Sequence, residues 1–256
     1  MDHIKKNKKV LSLLAHPDDA EFLCAGTLAL LQQKGWEVHI ATTANGNCGS
    51  SELNAEAIRQ IRYDEGINAA KIINASYHSL NCDDIFVLYD RPTIRKAIAL
   101  FRRVQPDLVL THNPTDYMLD HEITSQLAQT ASFCCGMKNI EIDGVDPFEP
   151  TPYLYYLDPI EGKDRFGQEV PPTFLIDISS VIDTKEKMLC AHASQREWLM
   201  NHQGMDEYTQ AMRHFSGQQG KRIHCDYAEG FRQHLGHGYR QDNILKTELN
   251  KFTHNI

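Results

Sequence analysis

The segment Leu11–Glu21, Leu-Ser-Leu-Leu-Ala-His-Pro-Asp-Asp-Ala-Glu, constrains the fold of this chain more than any other stretch. Val10, Leu11, Leu13 and Leu14 make a short apolar run without strict alternation, the pattern of a central strand covered on both faces. Pro17 cannot donate to a sheet ladder and drives His16 into an extended conformation, so the strand ends there. An imidazole and two carboxylates, His16, Asp18 and Asp19, are thereby set at the carboxyl end of a parallel strand, where open α/β sheets bind ligands. The plainer alternative is a polar loop whose aspartates cap the following helix.

The rest of the chain alternates strand and helix. Ala20 to Lys34 reads as a helix closed by Gly35, and Glu37 to Thr43 as a second strand. The loop Ala44 to Ser51 follows, with two glycines that permit tight turns near a ligand. Asn54 to Asn74 is the longest helical pattern, with Ile58, Ile61, Glu65, Ala69 and Ile72 on one face and Arg62 at its border. Tyr77–Leu80 and Pro106–Thr111 read as short strands, and Arg91–Val104 and Asp120–Cys135 as helices. Lys138 to Pro152, rich in Asp, Glu, Pro and Gly, reads as an excursion or lid. Tyr153–Leu157 and Phe174–Ile178 are two further strands, helical signals run from Val181 to about Met200, and the tail after Ser216 mixes glycine, histidine and aromatics. The expected architecture is α/β: a Rossmann-like, mostly parallel sheet with helices on both faces and a C-terminal elaboration. A single domain is expected over 1–256, with its core at about 8–135. No G-x-G-x-x-G turn follows the first strand, so the dinucleotide-binding version of the fold is unsupported.

Composition excludes several functions. The net charge of -8 argues against a phosphate-backbone binder, since no basic stripe stands out to displace counterions. Seven cysteines, an odd number without a C-x-x-C pair, suit reduced thiols in a cytoplasm better than a disulfide framework or a zinc ribbon. The basic start is followed by no signal-peptide core, and no stretch has the length of a membrane span. A soluble, cytoplasmic protein is the expectation.

His16 and Asp19, three residues apart in a turn, can place an imidazole and a carboxylate around one ion. A third ligand should come from a neighbouring strand end, and Thr111-His-Asn-Pro-Thr-Asp-Tyr-Met-Leu-Asp-His121 offers both His112 and His121. Two histidines and a carboxylate with an open fourth position form a catalytic zinc pattern. Asp18, beside Asp19 but pointing elsewhere, could then take a proton from the attacking water.

These residues carry a resemblance. Ala-His-Pro-Asp-Asp-Ala-Glu at 15–21 resembles the signature of the PIG-L/LmbE-like zinc-dependent deacetylases, the N-acetylglucosaminyl deacetylase type. Arg62-Tyr-Asp-Glu65 is similar to that family's Arg-x-x-Glu helix and Asp120-His121 to its Asp-His motif. His192-Ala-Ser-Gln195 and Tyr227-Ala-Glu-Gly-Phe231 resemble its C-terminal motifs, so the likeness spans about residues 8 to 232. The resemblance implies His16, Asp19 and His121 as ligands of one zinc per chain and Asp18 as general base. It also implies that Arg62 reaches the substrate and that Asp120 orients a nearby histidine or ligand.

One position departs from the pattern. Where thiol-precursor deacetylases commonly carry His-Pro-Asp-His, this chain has Met118-Leu-Asp-His121. A thioether can neither stabilise an oxyanion nor protonate an amine. His192 is the leading substitute, on the expectation that it shares a helix face with Gln195, with His112 or zinc itself as the alternatives. The expected reaction is hydrolysis of an N-acetyl amide on an amino sugar or N-acetylglucosaminyl conjugate. Hydrolysis of another acyl or ester bond and a non-catalytic metal- or sugar-binding module are the competing readings. The partner implied is a small N-acetylated sugar or glycoconjugate, with neither nucleic acid nor a membrane span, and a homo-oligomer is left open.

Overall fold

The computed structural model describes residues 7–142, 144–195 and 207–256. The basic start at 1–6 and the last part of the helical pattern expected up to Met200 lie outside them. The backbone is an eight-stranded sheet flanked by helices on both faces. In chain order the elements are β1 (Lys9–Leu14), α1 (Asp19–Leu23), α2 (Ala25–Gln33), β2 (Glu37–Ala44), α3 (Ala55–Lys71), β3 (Ser76–Cys82), α4 (Arg91–Val104), β4 (Leu108–Thr111), α5 (Leu119–Cys134), β5 (Tyr153–Leu157), β6 (Phe174–Asp177), α6 (Ile182–Cys190), α7 (Glu207–Lys221), β7 (Ala228–Gln233), α8 (Ile244–Glu248) and β8 (Thr253–Asn255). The strand order is β3-β2-β1-β4-β5-β7-β6-β8. The first five are parallel and the last three join antiparallel, as a C-terminal elaboration.

β1 is buried along nearly its whole length, because it lies between β2 and β4 and feeds both apolar layers. Val10 and Leu14 point to the layer shared with α1, α2, α6 and α7, while Leu11 and Leu13 point to the layer under α4 and α5. Chain order reverses between β1 and β4. The loops after these two strands therefore part and leave a crevice at the carboxyl edge, the switch point of a doubly wound sheet. His16 leaves β1 and His112 leaves β4 at this place. Thr111 Oγ1 donates to the Leu13 carbonyl at 2.8 Å and locks the two strand ends together.

Several expectations need correction. The helix expected from Ala20 to Lys34 is two helices broken at Cys24, whose φ/ψ of -141°/6° is not helical. On α3 the buried positions are Ile58, Arg62, Gly66, Ala69 and Ala70, while Ile61 and Ile72 are 39% and 41% exposed. Arg62 is thus inside the buried stripe, one residue round from the face read by hydrophobicity alone. The 138–152 segment is not a lid over the crevice, because Ile140, Ile142 and Phe148 pack against the layer under α4 and α5. Arg102 holds it there by donating to the carbonyls of Cys135, Met137 and Ile140. The tail after Ser216 is ordered as the end of α7, β7, α8 and β8. Its glycines, which blur the pattern in sequence, are demanded by packing: a Cβ on Gly220 would lie 2.7 Å from the Asp226 backbone, and one on Gly230 1.9 Å from Asp158 Oδ2.

Among the described residues no helix is long and apolar enough to cross a membrane.

Candidate metal centre and active site

His16 Nδ1 lies 3.5 Å and His121 Nε2 3.6 Å from Asp19 Oδ2. These separations are near the edge of about 3.4 Å expected between donors of a tetrahedral site with bonds of about 2.1 Å. The remaining nitrogen of each ring is taken. His16 Nε2 donates to Asp120 Oδ2 at 3.1 Å, and His121 Nδ1 donates to Asp116 Oδ1 at 3.0 Å. A carboxylate behind each imidazole fixes its tautomer and aims the other nitrogen forward, as behind metal-bound histidines. Donor set, spacing and backing carboxylates together fit a divalent ion such as zinc.

Each piece has a local cause. His16 N–H donates to Asp19 Oδ2 at 2.7 Å, closing the His-Pro-Asp-Asp turn and fixing the carboxylate. Asp116, on the loop before α5, accepts from the Tyr117 and Met118 backbone N–H groups as well as from His121. Asp120, in the first turn of α5, also accepts from the Ile85 N–H at 2.8 Å and ties the 83–90 loop to the site. Burial opposes a charge on His16, but Asp120 and Asp19 outweigh it and hold the ring's pKa up at about 10. Burial likewise works against the Asp19 anion, yet the His121 ring and the His16 hydrogen bond keep its carboxyl well below the ordinary range. So dense a buried cluster of carboxylates and imidazoles is suited to a cation.

His112 is brought close but differently used. Its Nε2 accepts the Ala15 N–H at 2.9 Å, so that lone pair is not available to a metal. The 3.2 Å approach of the same nitrogen to Asp19 Oδ2 is then packing rather than a donated bond. Burial pushes the His112 pKa down, which agrees with a neutral ring stacked 3.8 Å from His121. His112, Asp116 and His121 also come within ligating distance of one another. Neither His112 nor Asp116 faces the crevice, so the first triad is the better site.

The crevice holds a cavity of about 570 Å³, lined by the three candidate ligands together with Asp18, Arg62, Met118 and Tyr208 among others. Asp18 sits at φ 113°, a left-handed conformation that costs a non-glycine residue about 1–3 kcal/mol, and its side chain lines the cavity. Arg62 Nη2 donates to the Pro17 carbonyl at 2.6 Å and to Asp18 Oδ2 at 3.3 Å. The two glycines of the 44–51 loop serve this arginine: a Cβ on Gly46 would lie 2.6 Å from Arg62 Cδ, and one on Gly49 2.6 Å from Nη1. Burial raises the Asp18 carboxyl above its ordinary pKa, and Arg62 opposes the rise. That combination, a carboxylate made more basic by burial and held beside a cation, is what a general base requires.

Arg62 and Glu65 do not pair. Glu65 accepts instead from the backbone N–H and hydroxyl of Ser194, pinning the His-Ala-Ser-Gln segment against α3. The expectation for His192 also needs correction. The residue precedes the helical turn that starts at 193, so it shares no helix face with Gln195. Its ring is fully buried, lies 3.4 Å from Glu21 Oε2 rather than against Asp120, and does not line the cavity. Gln195 itself donates to the Gly49 carbonyl at 2.9 Å.

Two residues escaped the sequence reading. Asp84 accepts from the Gly46 and Cys48 N–H groups and shapes the loop over Arg62, though in sequence it is one aspartate of an Asp-Asp pair. Tyr208, on α7, places its hydroxyl against Asp18, and burial followed by the Asp18 charge raises its pKa well above 10. It remains a proton donor at neutral pH. No motif marked it, because it reaches the site only through the packing of α7.

Residues 11–132 match the family model described as PIG-L, GlcNAc-PI de-N-acetylase. The chain is 29% identical over 199 residues to 4-oxalmesaconate hydratase of Pseudomonas putida, covering 73% of this chain and 74% of that one. It is 25% identical over 195 residues to diacetylchitobiose deacetylase of Thermococcus kodakarensis, covering 73% of this chain and 70% of that one. The fold is similar to that of the N,N'-diacetylchitobiose deacetylase of Pyrococcus horikoshii, with a TM-score of 0.77 at 24% identity over 94% of this chain and 88% of that one. The His-Pro-Asp-Asp turn and the Asp-His helix start, which meet at one crevice of this fold, both lie within the stretch that matches the PIG-L, GlcNAc-PI de-N-acetylase model, in a chain similar to a deacetylase and to a hydratase.

Proposed function

We propose that the chain is a zinc-dependent hydrolase that removes the N-acetyl group from an amino sugar or N-acetylglucosaminyl conjugate. The observation that carries this reading is the position of Asp18. It lies in the same cavity as the His16, Asp19 and His121 donors, yet none of its geometry is spent on joining them. The chemistry supplied there by a bound divalent ion is polarisation of the amide carbonyl and a lowered pKa of water.

The chain's own residues supply the rest. Asp18 takes the proton from water as its oxygen attacks the carbonyl carbon. Arg62 holds Asp18 in place, and its burial under Gly46 and Gly49 keeps it from swinging away. Asp120 and Asp116 keep His16 and His121 aimed forward. The Tyr208 hydroxyl, released from Asp18 once that carboxyl has taken the proton, takes the part that Met118 cannot and donates to the developing oxyanion. The proton on Asp18 passes to the departing nitrogen, the C–N bond breaks, and acetate and a free amine leave.

The hydratase relative favours a second reading, addition of water to a carbon–carbon double bond of an organic acid, with the same base. The cavity weighs against it. Among its described lining residues Arg62 is the one permanent cation, already bonded to Pro17 and Asp18, while Asp18, Asp19 and Asp84 all line the same space. No lysine or second arginine among these residues is set to hold the further carboxylates of such a substrate, and a neutral acetamido sugar needs none. The test is a screen of N-acetylated sugars and glycoconjugates with zinc-loaded protein, reading released acetate, beside unsaturated dicarboxylic acids followed by loss of ultraviolet absorbance. Acetate release that Asp18→Asn abolishes supports the deacetylase. Absorbance loss without acetate release establishes the hydratase instead.

A further inference from the structure

A second cavity, of about 590 Å³, lies on the flank of the sheet and shares no lining residue with the first. Its walls are Ser79 and Leu80 of β3 and Arg91, Pro92, Arg95, Lys96, Ala99 and Arg103 of α4. Four cations therefore line it and no carboxylate does, in a chain whose net charge is -8.

The arrangement follows from α4. Thr93, Ala97, Ile98, Ala99, Leu100, Phe101, Arg102 and Val104 are buried, which leaves Arg91, Arg95 and Arg103, at multiples of four, along one outer ridge. From Arg91 to Arg103 the ridge runs about 18 Å at 1.5 Å per residue. The α4 cations divide by use. Arg102 is buried and spends its guanidinium on three carbonyls, and Lys96 donates to the Leu80 carbonyl at 3.0 Å. Arg91, Arg95 and Arg103 make no hydrogen bond or ion pair among the described residues. Arg103 stands close enough to His78 for its charge to help lower that ring's pKa, so positive charge accumulates along this edge. Beneath them Leu80 and Ala99, each 7% exposed, form an apolar floor beside the outermost strand of the sheet.

A solvated basic helix face needs neither a cavity nor a floor. Here unpaired guanidiniums surround a concave apolar surface of ligand size, the form of a small-molecule site. Guanidinium groups bind phosphate oxygens in a bidentate fork, and a ridge of three calls for more than one anionic group. We propose that this cleft binds a small molecule carrying two or more phosphate groups, with its ring or carbon portion on Leu80 and Ala99. The site is independent of the hydrolytic centre, and its ligand need not be the substrate.

The experiment is isothermal titration of fructose 1,6-bisphosphate and ADP into the full chain in phosphate-free buffer at low salt, beside fructose 6-phosphate. The expected result is saturable binding of the doubly phosphorylated probes, weaker binding of the monophosphate and loss of affinity with added salt. Arg95→Ala and Arg103→Ala should each weaken it about tenfold or more, as loss of a charge-assisted hydrogen bond implies. Lys71→Ala, on α3, and Asp19→Asn, in the other cavity, should leave it unchanged. Absence of binding at millimolar probe, equal affinity in the arginine variants, or loss of binding in Asp19→Asn each overturns the proposal.

Discussion

Asp116 Oδ1 holds His121 Nδ1 at 3.0 Å, while the opposite nitrogen of the same ring lies 3.6 Å from Asp19 Oδ2. One carboxylate thus aims the ring at the other. This relation makes metal affinity sensitive to a residue that offers no donor to the crevice. His121→Ala should lose the metal while remaining folded, and Asp116→Ala should keep it with affinity lowered about 10–100-fold. Metal content after dialysis against a graded chelator measures both. Wild-type affinity in Asp116→Ala would falsify the backing role.

The base is tested by Asp18→Asn, which keeps the shape of the side chain and cannot accept a proton. Metal content should be unchanged and turnover should fall about 10²–10⁴-fold. Because burial raises the Asp18 carboxyl, the acid limb of the rate profile should lie above the ordinary aspartate range. Activity is present where Asp18 is ionised and is lost as pH falls through its pKa. A pH–rate profile of the wild type locates that limb, and unchanged turnover in the variant assigns the proton transfer elsewhere.

Tyr208 and His192 make opposite predictions about which side chain supplies the donor that Met118 cannot. Tyr208→Phe removes one hydroxyl from the cavity and should lower kcat about 10²–10³-fold with metal retained. Introducing Met118→His into that variant should recover part of the loss. His192→Ala should act mainly on stability, since its ring is buried against Glu21. The comparison needs kcat and a urea melt for each variant. A large fall in kcat for His192→Ala at full stability returns the donor role to His192.

Asp158 is 5% exposed, its Oδ2 has no hydrogen-bond partner, and burial pushes its pKa up to about 7, with Arg222 and Arg232 opposing. The unfolded chain releases this proton near pH 3.9 and the folded chain near 7, so the folded state holds more protons between those values. Stability should therefore fall as pH rises across that window, by up to about 4 kcal/mol for a shift of three units. Asp158→Asn should flatten the fall. Urea unfolding at several pH values decides, and identical slopes in both proteins remove Asp158 as the source.

The sequence by itself determined the parts whose signals are local. The β1 run ending in His16-Pro17 placed the first strand and the His-Pro-Asp-Asp turn after it, because a proline after an apolar run leaves few conformations open. Asp120-His121 at the start of α5 was legible for the same reason, as was the alternation of strand and helix as far as β5. Tertiary structure decided everything that depends on distance through space. Arg62 is buried against the first turn only because Gly46 and Gly49 leave room for its side chain, which hydropathy cannot show. Spacing alone left both His112 and His121 open, and it is the folded structure that gives the lone pair of His112 Nε2 to the Ala15 N–H. Net charge concealed the α4 ridge, since a sum over the chain carries no positions. Tyr208 became part of the site when α7 packed beside α1, bringing the hydroxyl against Asp18 from 190 positions away in the chain. Local chemistry is written in neighbouring residues, but a contact between distant ones exists only once the core has closed.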